Sequence, residues 1–125
     1  MRLGDMQQTP RNLINGRWEI GTTTGVSTNP SDPREVVAEY ARADRNQTEQ
    51  AVRAAADAQP YWSQSAPQRR ADVLDQVGNE LLARKDELGT LLAREEGKTL
   101  PEAVAEVARA GQIFKCFAGE ALRIQ

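Results

Sequence analysis

Few side chains in this sequence are suited to covalent or acid–base chemistry. Among 125 residues there is no histidine and a single cysteine, Cys116. A Ser-His-Asp triad, a Cys-His dyad and His-ligated zinc are therefore excluded within the chain. One cysteine makes neither an intrachain disulfide nor a metal site of four thiolates. Cys116 falls in a helical stretch beside Phe117. A reactive thiolate needs an electropositive, partly exposed setting, and with only Lys115 nearby a structural role is expected. Gly97-Lys98-Thr99 has the ending of a phosphate-binding P-loop. That loop also needs a glycine five residues earlier, so that backbone N–H groups close around phosphate, and Leu92 stands there, in an apolar helical stripe. Glu95-Glu96 is a carboxylate pair at a helix C-terminus, where the macrodipole disfavours negative charge. It reads either as a solvated pair with Lys98 as local partner or as a carboxylate neutralised from elsewhere, for example by a bound cation. Arg109 lies off the apolar stripe of the last helix, on the side with Ala105 and Gln112. It reads either as a solvent-facing arginine or as a carboxylate-binding group at a pocket edge.

The elements that must position these residues follow from the patterning. Leu13-Ile14-Asn15-Gly16-Arg17-Trp18 predicts a hairpin, because Asn-Gly between apolar residues suits a type I′ turn with positive φ at both central positions. A Gly/Thr loop over 21–25 and a short strand at Val26–Thr28 follow. Asn29-Pro30-Ser31-Asp32-Pro33 predicts a turn, and Glu35–Tyr40 a strand returning beside the previous one. From Asp44 the period changes to that of a helix. Asp44 caps it, with Gln47 at the third helical position. Ala51, Val52, Ala55, Ala56 and Ala58 form a small apolar face expected to be packed, and Pro60 ends the helix. Ser65-Ala66-Pro67-Gln68 starts a second helix, with a stripe of Ala71, Leu74, Val77 or Gly78, Leu81 and Leu82. Asp86 is expected to cap a third, bearing Leu88, Leu91 and Leu92 and closed by Gly97. Thr99-Leu100-Pro101-Glu102 is a capping box for a fourth. Its buried face is predicted as Val104, Val107, Ala108, Gly111, Phe114, Ala118 and Ala121.

Composition bounds the rest. Sixteen basic and 18 acidic residues give a net charge of −2, without the basic footprint of a nucleic-acid binder or a polybasic membrane anchor. No apolar run approaches the roughly 20 residues of a spanning helix, and Met1–Arg11 lacks the apolar centre of a signal peptide. A soluble, cytoplasmic protein of at most one domain is expected. Four helices and a small antiparallel sheet, with no βαβ unit to complete them, suggest the opening of a larger α/β domain.

Taken in order, these segments resemble the N-terminal part of the NAD(P)-dependent aldehyde dehydrogenase superfamily. The residues that carry the likeness begin with Leu13-Ile14-Asn15-Gly16-Arg17-Trp18, Asn29-Pro30 and Glu35-Val36-Val37. Ala43-Asp44, Ala51-Val52, Ala54-Ala55-Ala56, Trp62, Arg69-Arg70 to Leu74 and Asp86-Glu87-Leu88 follow. Glu95-Glu96-Gly97-Lys98-Thr99, Glu102-Ala103, Glu106-Val107 and Ala118-Gly119-Glu120 complete the set. The Glu-Glu-Gly-Lys-Thr form, with Arg109-Ala110-Gly111 and Phe117–Leu122, looks like the branch that oxidises α-ketoglutaric semialdehyde.

The resemblance implies a flexible N-terminus over 1–11 and, over 12–125, the first segment of a Rossmann-like NAD-binding domain. That segment is a β-hairpin and short strands followed by four helices, an incomplete domain. The implied activity of an intact relative is oxidation of an aldehyde to the acid with NAD or NADP. A cysteine thiolate attacks the aldehyde, hydride passes to nicotinamide, and a Glu-activated water releases the product. Those residues and the cofactor motifs lie beyond this chain in the family, so no catalytic or cofactor-binding residue is assigned here, and Cys116 is not the nucleophile. The 125-residue chain is expected to be an inactive fragment. Many family members hold a monovalent cation, K⁺ or Na⁺, at positions that match Ser27, Thr28 and Glu95. The last helix borders the family's substrate tunnel, which makes Arg109 and Ala105 the substrate-binding candidates. The implied partners are a small aldehyde and, when intact, further copies in a dimer or tetramer, with no nucleic acid or membrane. The competing expectation is a non-catalytic helical interaction module or a truncated remnant of the family.

Overall fold

The computed structural model describes residues 10–123. Of the N-terminal stretch 1–11, residues 1–9 lie outside the described residues, and Arg11 already opens a strand. Contacts divide the chain into two compact units, Met1–Ser63 and Gln64–Gln125.

The first unit holds four strands and a helix. Strands β1 (Arg11–Ile14) and β2 (Arg17–Ile20) pair antiparallel with Leu13 opposite Trp18. Their turn is the one Asn-Gly demands: Asn15 and Gly16 take φ of 50° and 73°. Strands β3 (Thr23–Asn29) and β4 (Asp32–Arg42) form a second antiparallel pair. The expected loop over 21–25 is largely strand. Gly25 lies opposite Tyr40, and a Cβ on it would meet the Tyr40 ring at 2.5 Å. The ring covers the glycine from the neighbouring strand and supplies the packing that glycine lacks. Arg42 in turn sits over that ring, 5.6 Å from its centroid.

Helix α1 (Arg45–Ser63) starts where Asp44 accepts a hydrogen bond from the Gln47 backbone N–H at 2.8 Å. The Gln47 side chain does not close a capping box. Its amide donates to the Ile20 carbonyl at 2.8 Å, an edge acceptor of the hairpin. Pro60 does not end the helix, which runs on to Ser63. Proline so near the C-terminus removes one backbone bond only, and the Ser63 hydroxyl donates to the Pro60 carbonyl. The alanine face of α1 is not packed as expected; no α1 residue is buried. Nineteen residues span about 28 Å, whereas the four-residue strands beside α1 span about 13 Å.

The second unit is three helices: α2 (Pro67–Ala83), α3 (Lys85–Glu96) and α4 (Leu100–Arg123). Pro67 occupies the first turn of α2. Arg84 alone separates α2 from α3 and serves as the C-cap of one and the N-cap of the other. Asp86 is therefore not a cap. It sits inside the first turn of α3 with Glu87, where negative charge suits the helix dipole. Gly97 closes α3 in the left-handed region at φ 70°, its N–H bonded to the Ala93 carbonyl. The buried positions are Ala71, Gly78, Gly89, Ala103, Val107, Gly111 and Ala118. Small residues dominate because the helices cross closely. A Cβ on Gly78 would lie 2.9 Å from the Gly111 carbonyl oxygen, and one on Gly111 would lie 3.1 Å from that of Gly78. This decides the ambiguous position of the α2 stripe: Gly78 is inside and Val77 is exposed.

Candidate functional site

The expected cation ligands fall in different units. Ser27 and Thr28 stand near the end of β3, at a register shift. Ser27 pairs with Ala38, Thr28 with Val36, and the skipped residue, Val37, is almost wholly buried. An extra residue of this kind breaks the ladder locally and re-aims neighbouring backbone groups. Asn29, next along, donates from its side-chain amide to Glu35 at 2.7 Å. Glu95 is exposed in the last turn of α3. Among the described residues no group of three or more His, Cys, Asp or Glu could hold a metal ion.

Of the Glu95-Glu96 pair, Glu96 has Lys98 as its local partner and Glu95 does not. Lys98 pairs with Glu96 at 2.6 Å and with Glu106, about two turns into α4, at 2.5 Å. Glu106 first and Glu96 second raise the Lys98 pKa, so its ammonium is held charged. Thr99 begins α4 through half of the expected box. Its backbone N–H and hydroxyl both donate to the Glu102 carboxylate, at 3.3 and 2.6 Å, which lowers the Glu102 pKa.

Arg109 and Ala105 lie one helical turn apart on α4, both exposed. Among the described residues Arg109 has no hydrogen-bond or ion-pair partner. Cys116 is a free, exposed cysteine on α4.

Sequence reasoning missed one polar cluster. The Lys115 ammonium on α4 donates to Asp75 at 2.6 Å and to Asn79 at 2.7 Å, both on α2. The Asn79 amide donates to the other Asp75 oxygen at 2.8 Å. Lys115 is the main reason that the Asp75 carboxyl is held below its ordinary value. The cluster lines an open groove of about 690 Å³ with Gln68, Asp72 and Leu122. The spacing of Asp75 and Asn79, one turn apart, marked them as one face; their lysine, 40 and 36 residues on, carried no local mark.

Residues 19–125 match the aldehyde dehydrogenase family. This chain belongs to that family. The α-ketoglutarate semialdehyde dehydrogenase of Haloferax volcanii is 43% identical over 93% of the chain and 24% of its own length. The α-ketoglutaric semialdehyde dehydrogenase of Bacillus subtilis is 34% identical over 94% of the chain and 24% of its length. Among solved structures, the NADP-dependent glyceraldehyde-3-phosphate dehydrogenase of Bacillus halodurans, complexed with NADP, superposes with a TM-score of 0.88. It is 26% identical, over 95% of this chain and 25% of that one. The chain thus spans about a quarter of the length of the aldehyde dehydrogenases it matches. Its antiparallel strands followed by four helices are the α/β arrangement expected from the family likeness, as one part of those longer chains. No described helix is long and apolar enough to cross a membrane.

Proposed function

We propose that this chain is a segment of an enzyme that oxidises a carboxylate-bearing semialdehyde, of the α-ketoglutaric type, to the acid with NAD or NADP. The observation that carries this reading is Arg109, an exposed guanidinium on α4 without a partner among the described residues. A planar, permanently charged fork of donors suits a distal carboxylate, and Ala105, one turn before it, leaves room for the substrate chain. The names of the two similar curated relatives favour the same substrate class. The nicotinamide cofactor, when bound elsewhere in the enzyme, accepts the hydride. The role of this segment is to bind and orient the far end of the substrate.

The cation reading is part of the same proposal. Ser27, Thr28 and Glu95 offer only oxygen donors, the chemistry of a hard monovalent ion, K⁺ or Na⁺. The register shift at Thr28 favours it, since an irregularity of this kind breaks the ladder locally. A cytoplasmic location and a dimeric or tetrameric assembly complete the proposal.

The test uses a dehydrogenase in which this segment replaces its counterpart in the Bacillus subtilis relative. Arg109→Ala should raise KM for α-ketoglutaric semialdehyde about tenfold, the loss expected for a charge-assisted hydrogen bond. KM for a neutral aldehyde of similar length should stay within twofold or so. Equal changes for both substrates would remove Arg109 from substrate binding.

A further inference from the structure

We propose that Lys98 is a positioning residue for Arg109: by holding the Glu106 carboxylate, it leaves the Arg109 guanidinium free for an outside carboxylate. The inference rests on the reading of Arg109 above and adds the device that keeps it available. On a helix, residues three and four apart are neighbours. The residues at those distances from Arg109 are Ala105, Glu106, Gln112 and Ile113, so Glu106 is its one acidic neighbour. A glutamate three residues N-terminal to an arginine is a favourable pairing order. Elsewhere in the chain Glu–Arg pairs three or four apart form in either order: Arg84 with Glu80 and Glu87, Arg45 and Arg53 with Glu49, and, in the same order and spacing as Glu106 and Arg109, Glu120 with Arg123.

At Arg109 the pair does not form. The Glu106 carboxylate turns toward the start of the helix and accepts from Lys98 at 2.5 Å. Lys98 is anchored there by Glu96 on its other side at 2.6 Å and is the most covered partner of the three, with 24% of its side chain exposed. Two carboxylates on one ammonium hold Glu106 in place. Among the described residues Arg109, eleven positions after Lys98 in the sequence, is left without a carboxylate of its own. The Gly97 turn makes this geometry, since its left-handed backbone carries the chain from α3 into α4 and sets Lys98 between the two helix ends.

The test uses the same grafted dehydrogenase. Phenylglyoxal labels free guanidinium groups, and peptide mapping by mass spectrometry gives the rate at Arg109 separately from the other arginines. Lys98→Met releases Glu106 to Arg109, and the Arg109 rate should fall about twofold, the size expected for an exposed pair at this spacing. Lys98→Met with Glu106→Gln should restore the original rate. Lys98→Arg, which keeps the charge on Glu106, should leave it unchanged, and that variant also covers the case in which Lys98→Met fails to fold. A helix-stabilising role alone would not be rescued by removing Glu106. An unchanged Arg109 rate in folded Lys98→Met, a fall that Glu106→Gln does not reverse, or a fall in Lys98→Arg would each overturn the proposal. The reading of Arg109 as a substrate group fails separately, on the KM comparison.

Discussion

Single residues here are set by competition for a few charges. Glu95 and Glu96 are adjacent and chemically alike, yet Lys98 reaches Glu96 and passes over Glu95. A carboxylate left exposed at a helix C-terminus is opposed by the dipole, and a cation would relieve that repulsion. In the grafted dehydrogenase, Glu95→Gln should lower the melting temperature in K⁺ and reduce its dependence on K⁺. The pH dependence of turnover should not move, since the cation reading gives Glu95 a structural part. A melting temperature of the unmodified protein that is equal in K⁺ and in a large organic cation, at matched ionic strength, would count against a site there. Arg109 and Lys98 belong to the same scale: what each can bind depends on which neighbour Glu106 has chosen.

At the scale of elements, the helices of the second unit are fitted by small residues. Replacing Gly78 by alanine gains about 1 kcal/mol of helix propensity. It also drives a Cβ to 2.9 Å from the Gly111 carbonyl and 2.7 Å from Lys115 Cγ. The lysine stem can yield, but the backbone of α4 cannot without separating the helices, and overpacking of this kind costs about 1–3 kcal/mol. Gly78→Ala should therefore lower the urea midpoint. Gly119, also in α4, has nothing within 4 Å of a Cβ. Gly119→Ala should raise the midpoint by an amount equivalent to about 0.5–1 kcal/mol. If both alanines stabilise, the close crossing of α2 and α4 is not as tight as described. The Lys115 clamp on Asp75 and Asn79 fastens the same two helices from the groove side.

For the chain as a whole, exposed apolar side chains are the dominant feature. Tyr61 is 77% exposed, Val52 63%, Ile20 60% and Phe117 59%. Groups of this kind favour association when they form contiguous patches. The 125-residue chain should bind a hydrophobic dye and self-associate with rising concentration. Sedimentation of a monodisperse monomer across the concentration range, with no dye signal, would show that these faces are tolerated in water.

The sequence by itself determined the features that depend on near neighbours. Asn15-Gly16 dictated its turn because few residue pairs accept two positive φ values. Asp44, Pro67, Gly97 and Thr99–Glu102 marked helix boundaries because capping is a contest over backbone groups a few residues away. Val107, Gly111 and Ala118 declared a buried face by their spacing, and the ordered segments were legible as an aldehyde dehydrogenase. Tertiary structure decided what depends on residues far apart. Gly25 became strand because Tyr40 covers it, and Gly78 rather than Val77 went inside because Gly111 crosses there. Gln47 gave up its capping box for the Ile20 carbonyl. Pro60 stayed helical because the remaining turn had little to lose. The charges near the expected site were the least legible. Lys98 had Glu95, Glu96, Glu102 and Glu106 within reach along the sequence, and only the folded turn between α3 and α4 shows that it holds Glu96 and Glu106.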